Sequence, residues 1–314
     1  MEINPAPPPS RIVIGTRGSP LAVWQAHWVK DQLEGIHTDL KVEIVIIKTS
    51  GDKILDVPLN KIGGKGLFVK EIEEAMMRRE IDIAVHSMKD VPMKLPFELC
   101  LSAICEREVP FDALVSRNGL KLDDLPENAK IGTSSLRRST QLLNCRPDLQ
   151  IVPLRGNVNT RLAKLDTQEL DAIVLAAAGM RRMGWESRIT EILQPELLLP
   201  AMGQGAVGIE ARKSDPNILG YVGELDHEET HFAVEAERAF VNALDGGCQV
   251  PIGAYAVLEN DTLRLTGLVS SLDGRKIFKL SKSGAPQSAR EIGETMGREI
   301  LSMGADAVLK EILQ

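Results

Sequence analysis

Aromatic residues are scarce in this chain. Phe, Tyr and Trp make up 4% of its 314 residues, while 43% are hydrophobic, so the core must be built mainly from aliphatic Val, Leu, Ile and Ala. An excess of basic charge is also missing. The formal net charge is −7, which argues against general nucleic-acid binding and makes any anion site a local basic cleft in an acidic protein. No segment approaches the roughly 20 apolar residues needed to cross a bilayer, so no membrane association is expected. The leader Met1-Glu-Ile-Asn-Pro-Ala-Pro-Pro-Pro9 lacks the basic and apolar regions of a signal peptide and reads as a loose, extended tail. The four cysteines, Cys100, Cys105, Cys145 and Cys248, show neither metal-ligand spacing nor a dense disulfide framework. No metal is expected, and a cytoplasmic location fits best.

What is present is an alternation of short apolar runs with helical segments. At this length two or three domains are expected. Arg11 to Thr16 reads as a strand, Pro20 to Leu33 as a helix, Val42 to Ile47 as a second strand. Lys48 to Gly66 is polar and Gly-rich and suits a mobile loop. Leu67 to Arg79 reads as an amphipathic helix, and Ile81 to Val85 and Leu99 to Ile104 as strands. Such alternation indicates α/β layers with mostly parallel sheets. The pattern restarts after Pro110: strands at Ala113 to Val115, Lys130 to Gly132, Ile151 to Leu154 and Ala172 to Leu175, with the helix Leu136 to Cys145 among them. A third block holds a helix near Thr230 to Leu244, strands at Ile252 to Leu258, Leu263 to Val269 and Lys276 to Ser281, and a helix at Ser288 to Ser302. Strands in series beside segregated helices suggest a small α+β domain with an antiparallel sheet. The fold class is therefore α/β: boundaries near Val109-Pro110 and near Pro195 to Pro200 leave two α/β domains, followed from about His227 by a smaller C-terminal α+β domain. No internal sequence repeat is visible.

The most telling segments are Gly132-Thr-Ser-Ser-Leu-Arg-Arg138 and Arg155-Gly-Asn-Val-Asn-Thr-Arg161. Each reads as a strand end turning into a helix, where Thr133 to Ser135 and Asn157 can cap. Backbone N–H groups at a helix start favour anions, and arginine supplies forked donors that fit carboxylate or phosphate. Arg17 in Thr16-Arg-Gly-Ser-Pro20, with Ser19 as a cap, and Arg182 after Gly179 add two more arginine-bearing turns. Together they point to a ligand with several negative charges. His86-Ser-Met-Lys-Asp90 follows a strand, where α/β proteins place ligand-binding groups. Lys89 and Asp90 there read either as a cation–carboxylate pair serving one ligand or as an ordinary turn. Cys248, in Asp245-Gly-Gly-Cys-Gln-Val-Pro251, reads either as an accessible nucleophile or covalent anchor, or as a small buried hydrophobe. Two tempting motifs fail. Gly203-Gln-Gly-Ala-Val-Gly208 has dinucleotide spacing, but Pro200 precedes it and a strand, Gly208 to Arg212, follows where a helix is required. Gly63-Gly-Lys65 is followed by Gly66 where a phosphate loop needs Ser or Thr.

Seven segments in order, from about Arg11 to Leu313, closely resemble the porphobilinogen deaminase (hydroxymethylbilane synthase) family. They are Thr16-Arg-Gly-Ser-Pro-Leu-Ala22, Gly63-Gly-Lys-Gly-Leu-Phe68, Ala84-Val-His-Ser-Met-Lys-Asp-Val-Pro92, Gly132 to Arg138, Leu154 to Arg161, Leu199-Pro-Ala-Met-Gly-Gln-Gly-Ala206 and Gly246-Gly-Cys-Gln-Val-Pro-Ile-Gly253. The resemblance implies two domains similar to the lobes of periplasmic binding proteins, with the active site between them. It also implies domain bounds of 10–107 and 108–203, a segment at about 204–222 that returns to the first domain, and a third domain, 226–314, carrying the cofactor cysteine. The implied reaction joins four porphobilinogen molecules head to tail into hydroxymethylbilane, releasing ammonia, on a dipyrromethane cofactor bound to Cys248 as a thioether. Asp90 is implied as the catalytic carboxylate, stabilising positive charge that develops at pyrrole nitrogens. Ser87, Lys89, Asp90, Thr133, Ser134, Ser135, Arg137, Arg138, Arg155 and Gln204 are implied to hold the cofactor. Arg17, Ser19, Arg155, Arg161 and Arg182 are implied to bind substrate and growing chain, and Lys61, Lys65 and Phe68 to belong to a mobile lid. The expected partner is porphobilinogen alone, with no nucleic acid or membrane, and the protein is expected to be a monomer. A second reading, a non-catalytic two-lobed binding protein for a polycarboxylate, differs in predicting no covalent group.

Overall fold

The computed structural model describes residues 10–53, 69–246 and 250–313. In chain order its elements are β1 (Arg11–Thr16), α1 (Pro20–Ile36), β2 (Lys41–Ile46), a helical turn at Ser50–Lys53, α2 (Lys70–Met77), β3 (Ile83–Ser87) and β4 (Leu99–Ile104). Next come β5 (Asp112–Ser116), β6 (Lys130–Gly132), α3 (Leu136–Cys145), β7 (Gln150–Val152), α4 (Val158–Thr167), β8 (Ala172–Ala176), α5 (Ala177–Arg182) and β9 (Glu191–Leu193). The remainder is β10 (Val207–Arg212), α6 (Pro216–Gly223), α7 (Glu228–Ala243), β11 (Ile252–Glu259), β12 (Thr262–Ser270), β13 (Ile277–Gly284), α8 (Ala289–Ile300) and α9 (Asp306–Leu313). These residues fall into two units, one holding 10–53, 69–106 and 206–231, the other 107–205, 232–246 and 250–313.

The first unit is a five-stranded sheet in the order β2-β1-β3-β10-β4. Helix α1 starts where Ser19 Oγ accepts from Ala22 N at 3.3 Å and Pro20 occupies the first turn. Its Ala26, Val29 and Leu33 pack on Ile12, Ile14, Val42, Ile83 and Val85. On the other sheet face, Ile72, Ala75 and Met76 of α2 pack on Val13, Ala84 and Leu99. Two expectations shift here. Strand pairing begins at Ile83, opposite Ile14, not at Ile81, because Asp82 is committed to Val13 N (2.9 Å) and the Ile81 carbonyl to Arg212 Nη1 (2.6 Å). The sheet is also mixed rather than parallel. Strand β10, buried along its whole length, runs antiparallel between β3 and β4.

The second unit has a five-stranded sheet in the order β7-β6-β8-β5-β9, with β6 parallel to β7 and β8, and β5 antiparallel to β8 and β9. Both sheets thus share one plan: three parallel strands with the first in the middle, an antiparallel strand, then a fifth. Leu142 of α3 packs on one face with Leu114, Ile131 and Val174. Leu162 and Leu165 of α4 pack on the other with Val115, Ile173 and Leu175. The C-terminal block is an antiparallel sheet, β11-β12-β13. Phe240 and Met296 are fully buried beside its Gly267. Polar ties join this block to the rest of the second unit. Glu237 takes Arg107 Nη1 at 2.7 Å, Gly203 N at 2.6 Å and Ala256 N at 2.8 Å. Ala254 N donates to Pro200 O at 3.0 Å, and Asn144 Nδ2 to Gly274 O at 2.9 Å.

Candidate functional site

In a sheet ordered 2-1-3, connections leave the first strand toward opposite sides, and the ends of the first and third strands frame a natural ligand position. The first unit puts Arg17 and Ser19 after β1 and Ser87, Lys89 and Asp90 at the end of β3, and β1 and β3 are hydrogen-bonded neighbours. Met88 to Asp90 form a single 3₁₀ turn. It is held by Met88 N to Ala206 O at 3.0 Å and by the buried Met88 side chain. Ser87 Oγ accepts from Gln25 Nε2 at 3.0 Å, so this hydroxyl already has an internal partner. The Asp90 carboxylate is half-buried and takes part in no hydrogen bond or ion pair among the described residues. A carboxylate set rigidly on a turn with its acceptor positions open can receive N–H donors from a ligand.

The second unit repeats the arrangement with cations. Thr133 to Arg138 follow β6, Arg155 and Arg161 follow β7, and Arg182 closes α5 after β8. Gly132 fits tightly at the first of these turns, since a Cβ there would sit 3.0 Å from Ile173, Leu154 and Leu170 side-chain carbons, which would have to give way. The expected side-chain cap on α3 is absent: Ser135 occupies the cap position without capping. Instead Thr133 Oγ1 accepts from Ser135 N at 3.2 Å, and Ser134 Oγ bridges Leu154 N (3.0 Å) and Leu154 O (3.1 Å). The cap on α4 does form, from Thr160 N to Asn157 Oδ1 at 2.9 Å. Arg161 Nε donates to Gly156 O at 2.8 Å and Arg182 Nη2 to Gly205 O at 2.7 Å.

Arg137 and Arg138 are buried rather than displayed, with 5% of each exposed. Both meet Asp112, which is fully buried at the start of β5. Asp112 Oδ1 accepts from Arg138 Nε (3.0 Å), Arg138 Nη2 (2.6 Å) and Gln204 Nε2 (3.0 Å), and Oδ2 accepts from Arg137 Nη1 (2.7 Å). Gln204 also donates to Pro110 O at 2.7 Å, so its amide lies in the network behind the arginines. Burial alone would raise the Asp112 carboxyl, but the charges of Arg137 and Arg138 and their hydrogen bonds hold it well below the usual carboxylate range. A guanidinium has five N–H donors. Arg137 uses only Nη1, on Asp112 and Leu199 O, leaving its Nε and Nη2 edge without a partner among the described residues.

Sequence reasoning missed Asp112, Gln25 and a trio in the first unit, of which His86 and Glu210 are buried and Glu73 is partly exposed. In the trio, His86 Nε2 lies 3.2 Å from Glu210 Oε2, with Glu73 beside them. A charged residue leading an apolar strand was the only trace of Asp112, because its partners lie 25 and 26 positions further on. Cys248, Lys61, Lys65 and Phe68 fall outside the described residues. Among those described, no cluster could hold a metal ion and no helix is long and apolar enough to cross a membrane.

Two family profiles match this chain. One described as porphobilinogen deaminase, dipyromethane cofactor binding domain, matches residues 12–220, and one described as porphobilinogen deaminase, C-terminal domain, matches residues 231–302. Similar proteins include the porphobilinogen deaminase of Geobacter metallireducens, 53% identical over 98% of this chain and 96% of that protein. That of Desulforamulus reducens is 51% identical over 96% of this chain and 98% of its own length. Among solved structures, the periplasmic aliphatic sulphonate binding protein of Escherichia coli aligns with TM-score 0.41 and 14% identity, covering 75% of this chain and 70% of that one. The periplasmic VFT2 domain of Bordetella pertussis BvgS aligns with TM-score 0.40 and 15% identity, covering 69% of this chain and 86% of that one.

Proposed function

The chain belongs to the porphobilinogen deaminase family, and from that premise we propose that it joins four porphobilinogen molecules head to tail into hydroxymethylbilane with release of ammonia. In this reading it is a transferase of tetrapyrrole biosynthesis, and Cys248 anchors a dipyrromethane primer as a thioether. The observation that carries the reading is the chemistry of the two strand-end sets: an unpartnered carboxylate in one, clustered guanidinium groups in the other.

The donor set fits a dipyrromethane. Its acidic side chains need forked cationic donors, and Arg137 keeps a complete Nε–Nη2 edge for one carboxylate. Thr133, Ser135 and Arg138 supply further donors after β6 and Lys89 one after β3, while Ser87, Ser134 and Gln204 hold the turns and the arginine network behind them. When bound, the group supplies the pyrrole carbon to which the growing chain is joined. Asp90 accepts pyrrole N–H bonds and stabilises the positive charge that develops at those nitrogens, and it can hold the proton released there. Each pyrrole adds two carboxylates, which Arg17, Ser19, Arg155, Arg161 and Arg182 bind as substrate and product. Lys61, Lys65 and Phe68 serve as lid residues in the same reading. A monomeric, cytoplasmic enzyme completes it, testable by light scattering and fractionation.

Incubation of the purified protein with porphobilinogen tests the reaction. One ammonia should be released per porphobilinogen consumed, with hydroxymethylbilane as product. Stoichiometric binding of porphobilinogen without ammonia would instead favour the non-catalytic binding protein.

A further inference from the structure

We propose that Asp112, which no part of the reaction touches, is a positioning residue that aims Arg137 at the carboxylates of the dipyrromethane. The proposal rests on the function given above. Three features carry it. First, Asp112 is fully buried and its two oxygens are divided: Oδ1 serves Arg138 and Gln204, Oδ2 serves Arg137 alone. Second, the grip on Arg137 is end-on. Nη1 spends both hydrogens inward, at 2.7 Å on Asp112 and 2.8 Å on Leu199 O. The side edge, Nε and Nη2, is therefore the face left for a ligand, and it is the edge that binds a carboxylate through two parallel hydrogen bonds. Third, the arginine is locked from behind. Gln141 Nε2 donates to Arg137 O at 3.0 Å and to Leu199 O at 3.1 Å, and Gln141 Oε1 accepts from Leu199 N at 2.8 Å. The long arginine side chain thus has its conformation fixed before any ligand arrives, which removes an ordering cost from binding.

Arg138 is gripped differently. Its Nε and Nη2 both meet Asp112 Oδ1, and Nη1 donates to Val174 O at 2.8 Å. Two neighbouring arginines that look equivalent in sequence are thereby unequal. Arg138 anchors Asp112 to the middle of β8, and Asp112 then orients Arg137.

The test is cofactor loading, read by intact mass, on Asp112→Asn, Asp112→Glu and Arg137→Gln, with thermal melts of each apo protein. In Asp112→Asn the side-chain amide faces Arg137 Nη1 with a donor or a neutral oxygen. The fraction of folded molecules carrying the added mass should fall at least about tenfold, and Asp112→Glu, which keeps the charge, should recover part of it. Arg137→Gln leaves the Asp112–Arg138 pair intact. Because it removes one partner of a buried ion pair, its apo protein should melt below the wild-type apo protein, and its folded fraction should remain unloaded. Should Asp112→Asn not fold, Arg137→Gln and Asp112→Glu decide. Full loading of Arg137→Gln, or of folded Asp112→Asn, would overturn the positioning role while leaving the functional reading standing. Wild type prepared in parallel without any added mass would overturn the functional reading and this inference with it.

Discussion

Asp90 and Asp112 are two carboxylates of opposite design. Asp112 is fully buried and saturated by arginine, whereas Asp90 is half-buried and unpartnered among the described residues. A saturated carboxylate fixes geometry, and an open one can stabilise a developing cation. Asp90→Asn keeps the size of the side chain and removes its charge. Turnover should fall on the order of 10²–10³-fold, the range seen when one electrostatic stabiliser is deleted, with the melting temperature little changed. A near-normal rate at saturating porphobilinogen would remove Asp90 from the chemistry. The position of Asp90 directly after an apolar strand was legible in the sequence, where Lys89 and Asp90 read either as a pair serving one ligand or as an ordinary turn. Asp112 was not. Its role depends on Arg137, Arg138 and Gln204, which only the fold brings to it, and a lone acid at a strand start is an ordinary feature of any surface.

At the scale of elements, the interface between α2 and its sheet carries an unusual charge cluster. Glu210 on β10 is fully buried and pairs with His86 on β3, while its Oε1 has no hydrogen-bond partner among the described residues. Glu73 on α2 faces the same pair, and its Oε1 is likewise unpartnered. Burial first, and then the Glu210 charge, push the Glu73 carboxyl up to about 7, with His86 opposing. The folded protein therefore holds this proton more tightly than the unfolded chain, whose value stays near 4.5. The sign follows: between those two values the unfolded chain binds fewer protons, so stability falls as pH rises through the window and the full penalty stands above it. Glu73→Gln should remove that slope. Its melting temperature relative to wild type should rise steadily from about pH 5 to about pH 8, and a difference that does not depend on pH would refute the cluster's role.

The same elements show where the sequence speaks and where it is silent. Helix α1 and strand β4 were legible because a Ser-Pro cap or a short apolar run is a local signal. The antiparallel course of β10 between β3 and β4 was not derivable from composition or periodicity, since a buried strand does not state which neighbours it takes. Helices α6 and α9 also escaped. The first starts at Asp215-Pro216, which are its cap and first residue. The second follows directly on α8 through Gly304, whose φ of 107° breaks the helical run.

For the whole molecule, one architectural plan appears twice without a visible sequence repeat. The orders β2-β1-β3-β10-β4 and β7-β6-β8-β5-β9 match position for position. What each sheet needs is an aliphatic run of the right length, and many sequences satisfy that, so the duplication leaves no repeated motif. The chemistry placed on the two sheets differs, however: the first carries Asp90 beside Arg17 and Lys89, whereas the second carries guanidinium groups. The C-terminal block adds the residue on which the account depends. Intact mass of the wild type and of Cys248→Ala, before and after porphobilinogen, tests that dependence most directly. The account predicts a wild type heavier than its sequence by one dipyrromethane and gaining pyrroles on incubation, beside a Cys248→Ala protein that is folded, unmodified and inactive. A wild type at its bare sequence mass with full turnover, or an adduct that persists on Cys248→Ala, would contradict it.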